Sequence, residues 1–237
     1  MTGMNAEILR GLDPFDIYDA EANRLDAYFS SLTGPDWDHA SRCEGWSVRD
    51  VLAHLAGQEL YNRACLDDDL DGLFDLLTKE GVADLGAFND WCVRQRRGLP
   101  VEEVLDEWRR RNGETRVRMR GLGADARIPT MAGPYPVGLQ TFHYASELAT
   151  HADDVGVPVE PGEEPGRTFW RARVGMFALE EREAPVRVER IAGGFRVELD
   201  GRAAELSAAD FVDATTGRLK NGHALAPELR EALVCLA

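Results

Sequence analysis

The chain of 237 residues contains only five histidines, so a histidine-based site must draw on a small set. Glu147 and His151 are four residues apart in a segment whose apolar residues recur at helical spacing. Both side chains would therefore project from one helix face, about one turn apart, where they could chelate one metal ion. His143 continues that face one turn earlier. On spacing alone, a solvated ion pair explains the pattern more often than a metal site does.

His54 lies in the otherwise apolar run 51–57. An imidazole that faces a protein core must find a hydrogen-bond partner or bear the cost of desolvation. A histidine in such a run is more often a hydrogen-bonded core residue than a metal ligand. The residues alone leave both interpretations open.

Two segments carry a family resemblance. The segment CEGWSVRDVLAHLAG at residues 43–57 and the segment ELATHADD at residues 147–154 resemble the two signatures of the mycothiol-dependent maleylpyruvate isomerase family, within the wider DinB-like metalloenzymes. In that family a histidine of the second helix joins a glutamate and a histidine of a later helix to bind one zinc ion. The resemblance therefore implies that His54, Glu147 and His151 bind a divalent metal, zinc by preference.

The same resemblance implies a small thiol, mycothiol, as cosubstrate and a small-molecule electrophile as its acceptor. Two imidazoles and one carboxylate leave a zinc ion with an open position, and zinc lowers the pKa of a thiol bound there. We expect S-transfer to the electrophile, because the acidic chain does not favour an anionic substrate. The alternatives are mycothiol-dependent cis-trans isomerisation of an unsaturated acid of the maleylpyruvate type, a metal hydrolase, or a non-catalytic metal-binding module.

The resemblance places the family's substrate-binding arginine at Arg218, within the sequence Thr216-Gly217-Arg218. A helix-end or surface arginine explains Arg218 equally well. The C-terminal part of the chain is short for the sterol-carrier-like second domain that the resemblance implies. Full catalysis would need this part as well as the metal.

Two further positions lie close to the signatures. Cys43 precedes a predicted helix, and its thiol is expected to pack near the site and not to act as a nucleophile. Asp153 and Asp154 follow His151 directly and could orient an imidazole from outside the ligand set. For Asp154 we expect the simpler role of a carboxylate that faces water.

Apolar spacing predicts helices over residues 16–32, from Val48 after a Ser47 cap, from Pro100 to Met119, and over residues 137–155. The fold class predicted is therefore mainly α, a DinB-like bundle of four to five helices followed by a small α+β C-terminal unit.

A segment rich in proline and glycine at residues 160–166 marks the boundary, which gives a metal-binding bundle at 1–160 and a C-terminal domain at 161–237. The C-terminal domain would begin with a linker helix over residues 168–183. A two-stranded hairpin around Gly193 and two short helices over 207–215 and 227–236 would complete it.

The formal net charge of -15 disfavours nucleic acid and anionic membrane surfaces as partners. The N-terminus shows no leader pattern and the four cysteines are widely spaced, which indicates a cytoplasmic protein with reduced thiols, a monomer or a homodimer. Lysine occurs only at Lys79 and Lys220, and the arginine-rich composition is typical of a GC-rich, for instance actinobacterial, genome.

Overall fold

The computed structural model describes residues 6–236, which divide into two compact units. The helical unit comprises Asp13–Val157. The C-terminal unit comprises residues 158–236 together with residues 6–12. Within residues 6–236 no helix combines the length and the apolar character that a membrane span requires.

The helical unit is built on four long helices, and this confirms the predicted mainly α fold class. Apolar residues recur along one side of each helix, so each helix can bury that side against its neighbours. A short antiparallel pair of strands precedes the last helix. In chain order the elements are α1 (Pro14–Ser31), α2 (Val48–Asp67), α3 (Leu70–Lys79), α4 (Leu85–Arg96), α5 (Val101–Leu122), β1 (Arg127–Ile128), β2 (Tyr135–Pro136) and α6 (Val137–Asp154).

Side-chain caps fix where the first two long helices begin. The Asp13 carboxylate accepts hydrogen bonds from the backbone amides of Phe15 and Asp16 at the start of α1. The predicted Ser47 cap is confirmed: its hydroxyl accepts from the Asp50 amide, and the Asp50 carboxylate accepts from the Ser47 amide in return. Each cap satisfies amides that have no partner within the helix and contributes about 1 kcal/mol to stability.

The core of the helical unit forms where α1 packs on α6 and α2 packs on α5. Large side chains fill this core, among them Leu25, Phe29, Leu52, Trp108 and Met119, each at most 2% exposed. The Phe29 and Trp108 rings meet edge to face, with centroids 5.8 Å apart. Burying each of these side chains contributes about 1.5–3 kcal/mol, so apolar packing holds the long helices in place.

A buried polar network crosses this core around Glu59, which is 3% exposed. Its carboxylate accepts hydrogen bonds from Asn112 Nδ2 at 2.9 Å and from Thr115 Oγ1 at 2.6 Å, and Asn112 also donates to the Tyr18 hydroxyl at 2.9 Å. Burial acts to raise the pKa of Glu59, and the hydrogen bonds from Thr115 and Asn112 only partly offset this, so the pKa is raised overall. The network ties α1, α2 and α5 together.

Helices α2 and α4 approach closely at Gly57. A Cβ atom at this position would lie 2.3 Å from Cys92 Cβ and 2.8 Å from Arg96 Nη1. Arg96 is itself held by Glu107 of α5 through two hydrogen bonds of 2.8 and 3.0 Å. The missing side chain at Gly57 therefore lets α4 reach α2 while Arg96 ties α4 to α5.

The C-terminal unit is a small α+β arrangement, as predicted. Helix α7 leads into a three-stranded antiparallel sheet of strand order β3-β4-β5, and two short helices follow. Stacked rings of Phe195 and Phe211, with centroids 4.2 Å apart, lie in its core with Val197 and Leu206. The elements are α7 (Glu164–Glu181), β3 (Arg187–Ile191), β4 (Gly194–Leu199), β5 (Arg202–Ser207), α8 (Ala208–Thr215) and α9 (Pro227–Leu233).

The sheet corrects the prediction of a two-stranded hairpin. Gly193 adopts φ 90° in the expected tight turn between β3 and β4. A second tight turn at Asp200 and Gly201, with φ of 50° and 77°, adds β5, whose Arg202 pairs with Leu199. Asp-Gly between two strands is a strong hairpin signal, so the sequence did carry the information for the third strand.

The predicted domain limits, 1–160 and 161–237, stay a prediction. The 3-10 helix Ala6–Leu9 belongs to the C-terminal unit, where the Arg173 guanidinium donates to the carbonyls of Ile8 and Arg10. Compactness alone does not show which segments fold independently.

Gly57→Ala should destabilise the protein by about 1–3 kcal/mol, because the new methyl group would force α4 away from α2. Gly113→Ala in α5 is the matched control, since a Cβ there meets no atom within 4 Å. We expect it to stabilise by about 0.5–1 kcal/mol, the helix-propensity gain of alanine over glycine. Urea denaturation of both variants measures the difference, and equal stabilities would contradict the close contact.

Glu59→Gln should change the pH dependence of stability. The pKa of Glu59 is higher in the folded protein than in the unfolded chain, where it is about 4.3. Protonation of Glu59 therefore stabilises the folded state, and this contribution is complete at pH values below the unfolded pKa. It is lost as the pH rises through the folded pKa. The free energy of unfolding of Glu59→Gln relative to wild type should therefore increase from acid to neutral pH. Glu114→Gln, on the exposed side of α5, is the control, and parallel pH profiles for Glu59→Gln and wild type would refute the prediction.

Candidate metal centre

His54 lies on α2, and its imidazole is buried beside an aromatic ring. It is 2% exposed, in the interior of the helical unit. The Trp46 ring lies beside it, with centroids 5.2 Å apart. Trp46 belongs to the loop before α2, which an antiparallel bridge between Ala40 and Ser47 closes. The loop therefore places the Trp46 ring against the imidazole of His54.

Helix α6 brings Glu147 and His151, whose spacing places them on one face as expected. Glu147 Oε1 lies 3.0 Å from His54 Nε2 and 3.1 Å from His151 Nε2. The two imidazole rings meet edge to face, with centroids 4.8 Å apart. The structure thus brings together all three residues that the sequence resemblance singled out, although His54 and Glu147 are 93 positions apart in the chain.

The charges in this cluster stabilise one another. Burial acts to raise the pKa of Glu147, but the charge and hydrogen bonds of His151 and His54 outweigh it and hold that pKa well below its usual value. Burial acts to lower the pKa of His151, but the Glu147 charge and the hydrogen bond to Asp154 raise that pKa well above its usual value. Glu147 and His151 thus each favour the charged form of the other.

Asp154 lies on the other side of His151, and its predicted exposure to water is wrong. Its side chain is 0% exposed, and Oδ2 lies 3.1 Å from His151 Nδ1. The spacing of three residues from His151 on the same helix was the signal for this contact. It could not be told from a solvent-facing position without knowing which side of the end of α6 is covered.

Cys43 packs at the edge of the site, as predicted. Its Sγ atom donates to Asp154 Oδ2 at 3.2 Å and lies 3.8 Å from His151 Nδ1. The backbone amide of Arg42 donates to the Asp154 carbonyl at 2.9 Å, so the loop before α2 is tied to the end of α6. Among residues 6–236, Cys43, His151 and Asp154 form a second candidate ligand group, which shares His151 with the first.

His143 lies one turn before Glu147 on α6 and does not belong to either candidate ligand group among the described residues. Its Nε2 lies 3.3 Å from the Tyr135 hydroxyl. His143 therefore lies beside the candidate ligands, as expected, and Tyr135 of β2 is a partner of its imidazole.

Arg218 follows α8 in the C-terminal unit. Its Nη1 donates to the Thr216 carbonyl at 3.0 Å, and its backbone amide donates to the Asp213 carbonyl at 2.7 Å. Both contacts satisfy carbonyls at the end of α8, which agrees with the helix-end interpretation. A role for Arg218 in binding substrate stays a prediction.

The donor atoms of His54, Glu147 and His151 suit a divalent metal. They lie within 4.8 Å of one another, and both histidines are at most 5% exposed. Two imidazole nitrogens and one carboxylate oxygen form a ligand set that zinc takes in catalytic sites, where a fourth position is left open. The Glu147 side chain is 25% exposed, so this side of the cluster is in contact with solvent.

A helical bundle that carries a His-Glu-His cluster on two of its helices defines the class as DinB-like. A sequence model described as the mycothiol maleylpyruvate isomerase N-terminal domain matches residues 18–156, most of the helical unit. The chain therefore belongs to this family. A search of curated proteins found no match.

Two solved structures have the same fold. They are crystal structures of the mycothiol-dependent maleylpyruvate isomerase, 14% identical to this chain, and of a histidine-to-alanine mutant of an enzyme of that name, 13% identical. Each match has a TM-score of 0.63 and covers 91% of this chain and 94% of the other. Since nearly the whole of the other chains is covered, the expectation that the C-terminal part is short for the family is wrong.

Proposed function

We propose that the protein is a mycothiol-dependent cis-trans isomerase of a small unsaturated acid, with a divalent metal held by His54, Glu147 and His151. The observation that carries the proposal is the convergence of these three side chains in a helical unit that belongs to the isomerase family. The named relatives of the same fold support the reaction class.

A divalent metal at this site would supply Lewis acidity, which lowers the pKa of a thiol that binds beside it. The chain's own residues would orient that chemistry. His54 and His151 present Nε2 from two different helices, and Glu147 adds a negative charge between them. The apolar surroundings of α2 and the Trp46 ring restrict water on the His54 side.

Isomerisation needs no net consumption of thiol. The thiol first loses its proton to solvent, and the thiolate sulfur adds to one alkene carbon while the conjugated carbonyl takes up the electron pair of the broken π bond. Rotation about the resulting single bond follows. Elimination then restores the double bond in the trans form and releases the thiolate, which can regain its proton, so all atoms and charges balance. A site that holds the thiol and positions the acid can therefore act as a catalyst without another reactant.

The preference for S-transfer is not supported, and the isomerase alternative fits better. That preference depended on the net charge of -15, which is a property of the whole chain. Net charge affects long-range encounter but does not decide which groups line a site. We propose Arg218 as the group that holds a substrate carboxylate, by its place in the family pattern.

The purified protein should contain about one divalent metal per chain, which His54→Ala and Glu147→Ala should each largely remove, because two donors hold a metal far less tightly than three. His143→Ala, on the same face of α6 but outside the ligand set, should keep it. Elemental analysis after dialysis measures the content. Stoichiometric metal in both ligand variants would rule out this ligand set.

With a maleylpyruvate-type substrate and a catalytic amount of mycothiol, the metal-loaded protein should give the trans product and return the thiol. Thiol consumed in proportion to product would instead show S-transfer.

The metal-loaded protein should also bind mycothiol more tightly than the metal-free protein. Binding should release about one proton, which calorimetry in buffers of different ionisation enthalpy measures.

Arg218→Ala should raise KM for the acid without changing metal content. Unchanged kinetics would remove Arg218 from the site.

A further inference from the structure

We propose that Asp154 is a positioning residue that fixes the tautomer and the ring orientation of His151, so that Nε2 of His151 faces the metal. The inference rests on the proposed function, because it takes His151 as a metal ligand. It extends that function to a side chain outside the family's ligand set.

The two nitrogens of His151 have different partners on opposite sides of the ring. Nε2 lies 3.1 Å from Glu147 Oε1, on the side of His54, whereas Nδ1 lies 3.1 Å from Asp154 Oδ2. A carboxylate can only accept, so the contact with Asp154 requires a hydrogen on Nδ1. With a hydrogen held on Nδ1, Nε2 is the nitrogen that would give up its hydrogen to a metal, on the side where Glu147 and His54 converge.

The position of Asp154 is costly for a residue with no further role. It lies in the last turn of α6, at the end where the helix dipole disfavours a negative charge, and its side chain is fully buried. A buried carboxylate is tolerated when donors compensate it. His151 Nδ1 and Cys43 Sγ both lie within hydrogen-bond distance of its Oδ2 atom. A contact to a functional imidazole explains why a charge is placed there.

A purely structural role of Asp154 predicts a different result. Asp154 also joins the loop before α2 to the end of α6, through Cys43 Sγ at 3.2 Å and through its own carbonyl to the Arg42 amide at 2.9 Å. If Asp154 acted only as this clamp, removing the Cys43 thiol would weaken the site in the same way. If Asp154 acts on the His151 ring, the Cys43 thiol is dispensable for metal affinity.

Competition with a chelator measures the zinc affinity. ¹H-¹⁵N NMR of the zinc-loaded protein shows whether Nδ1 of His151 carries a hydrogen. Asp154→Ala should weaken zinc binding about 10–100-fold, as loss of an outer partner of a ligating histidine does. It should also remove the slowly exchanging Nδ1–H signal of His151. Cys43→Ala and the neighbouring control Asp153→Asn should keep wild-type affinity and the signal. Circular dichroism checks folding, and Asp154→Leu, of similar size but without an acceptor, replaces Asp154→Ala if alanine unfolds the protein.

Wild-type zinc affinity in folded Asp154→Ala or Asp154→Leu would overturn the inference, and so would an equal loss in Cys43→Ala. These outcomes differ from failure of the proposed function, in which the wild-type protein itself would hold no metal at His151.

Discussion

The ionised Glu147 between two imidazoles is the interaction on which the candidate metal site depends. Burying a carboxylate is costly unless groups of opposite charge or hydrogen-bond donors compensate it. His54 and His151 do so at 3.0 and 3.1 Å, and they come from different helices. Helix α2 packs chiefly on α5, and α6 packs chiefly on α1. Two apolar contacts therefore set the separation of α2 and α6, and the polar cluster occupies the space between them.

Among the buried carboxylates of the helical unit is Glu59, and comparing it with Glu147 shows why Glu147 suits chemistry. Glu59 receives hydrogen bonds from Asn112 and Thr115, which can only fix it in place. Glu147 faces two imidazoles that can exchange a proton for a metal, and its side chain is 25% exposed. A saturated network stabilises a core, whereas a cluster with metal-type donors and an accessible side can bind a small molecule.

Outside the cluster, salt bridges bring together much of the surface charge of the helical unit. Arg109 pairs with Asp26 at 2.5 Å, and Arg120 pairs with Asp16 at 2.9 Å and with Asp19 at 2.7 Å, so α5 is joined to α1 along their exposed sides. Such exposed pairs contribute about 0–1 kcal/mol each. They show that arginines match acidic side chains locally on this surface, so the net charge of the whole chain says little about the charge at any one site.

The sequence alone predicted the four long helices, the cap at Ser47 and the face shared by Glu147 and His151, because these depend on residues within a few positions of one another. The pairing of His54 with Glu147 could be inferred only by family resemblance, since local spacing carries no information about contacts between distant segments. The third strand had a local signal at Asp200 and Gly201. No local sequence signal predicted the burial of Asp154, because the loop that packs over the end of α6 decides whether that end faces water. Tertiary packing alone converts a helix-end aspartate into a partner of His151.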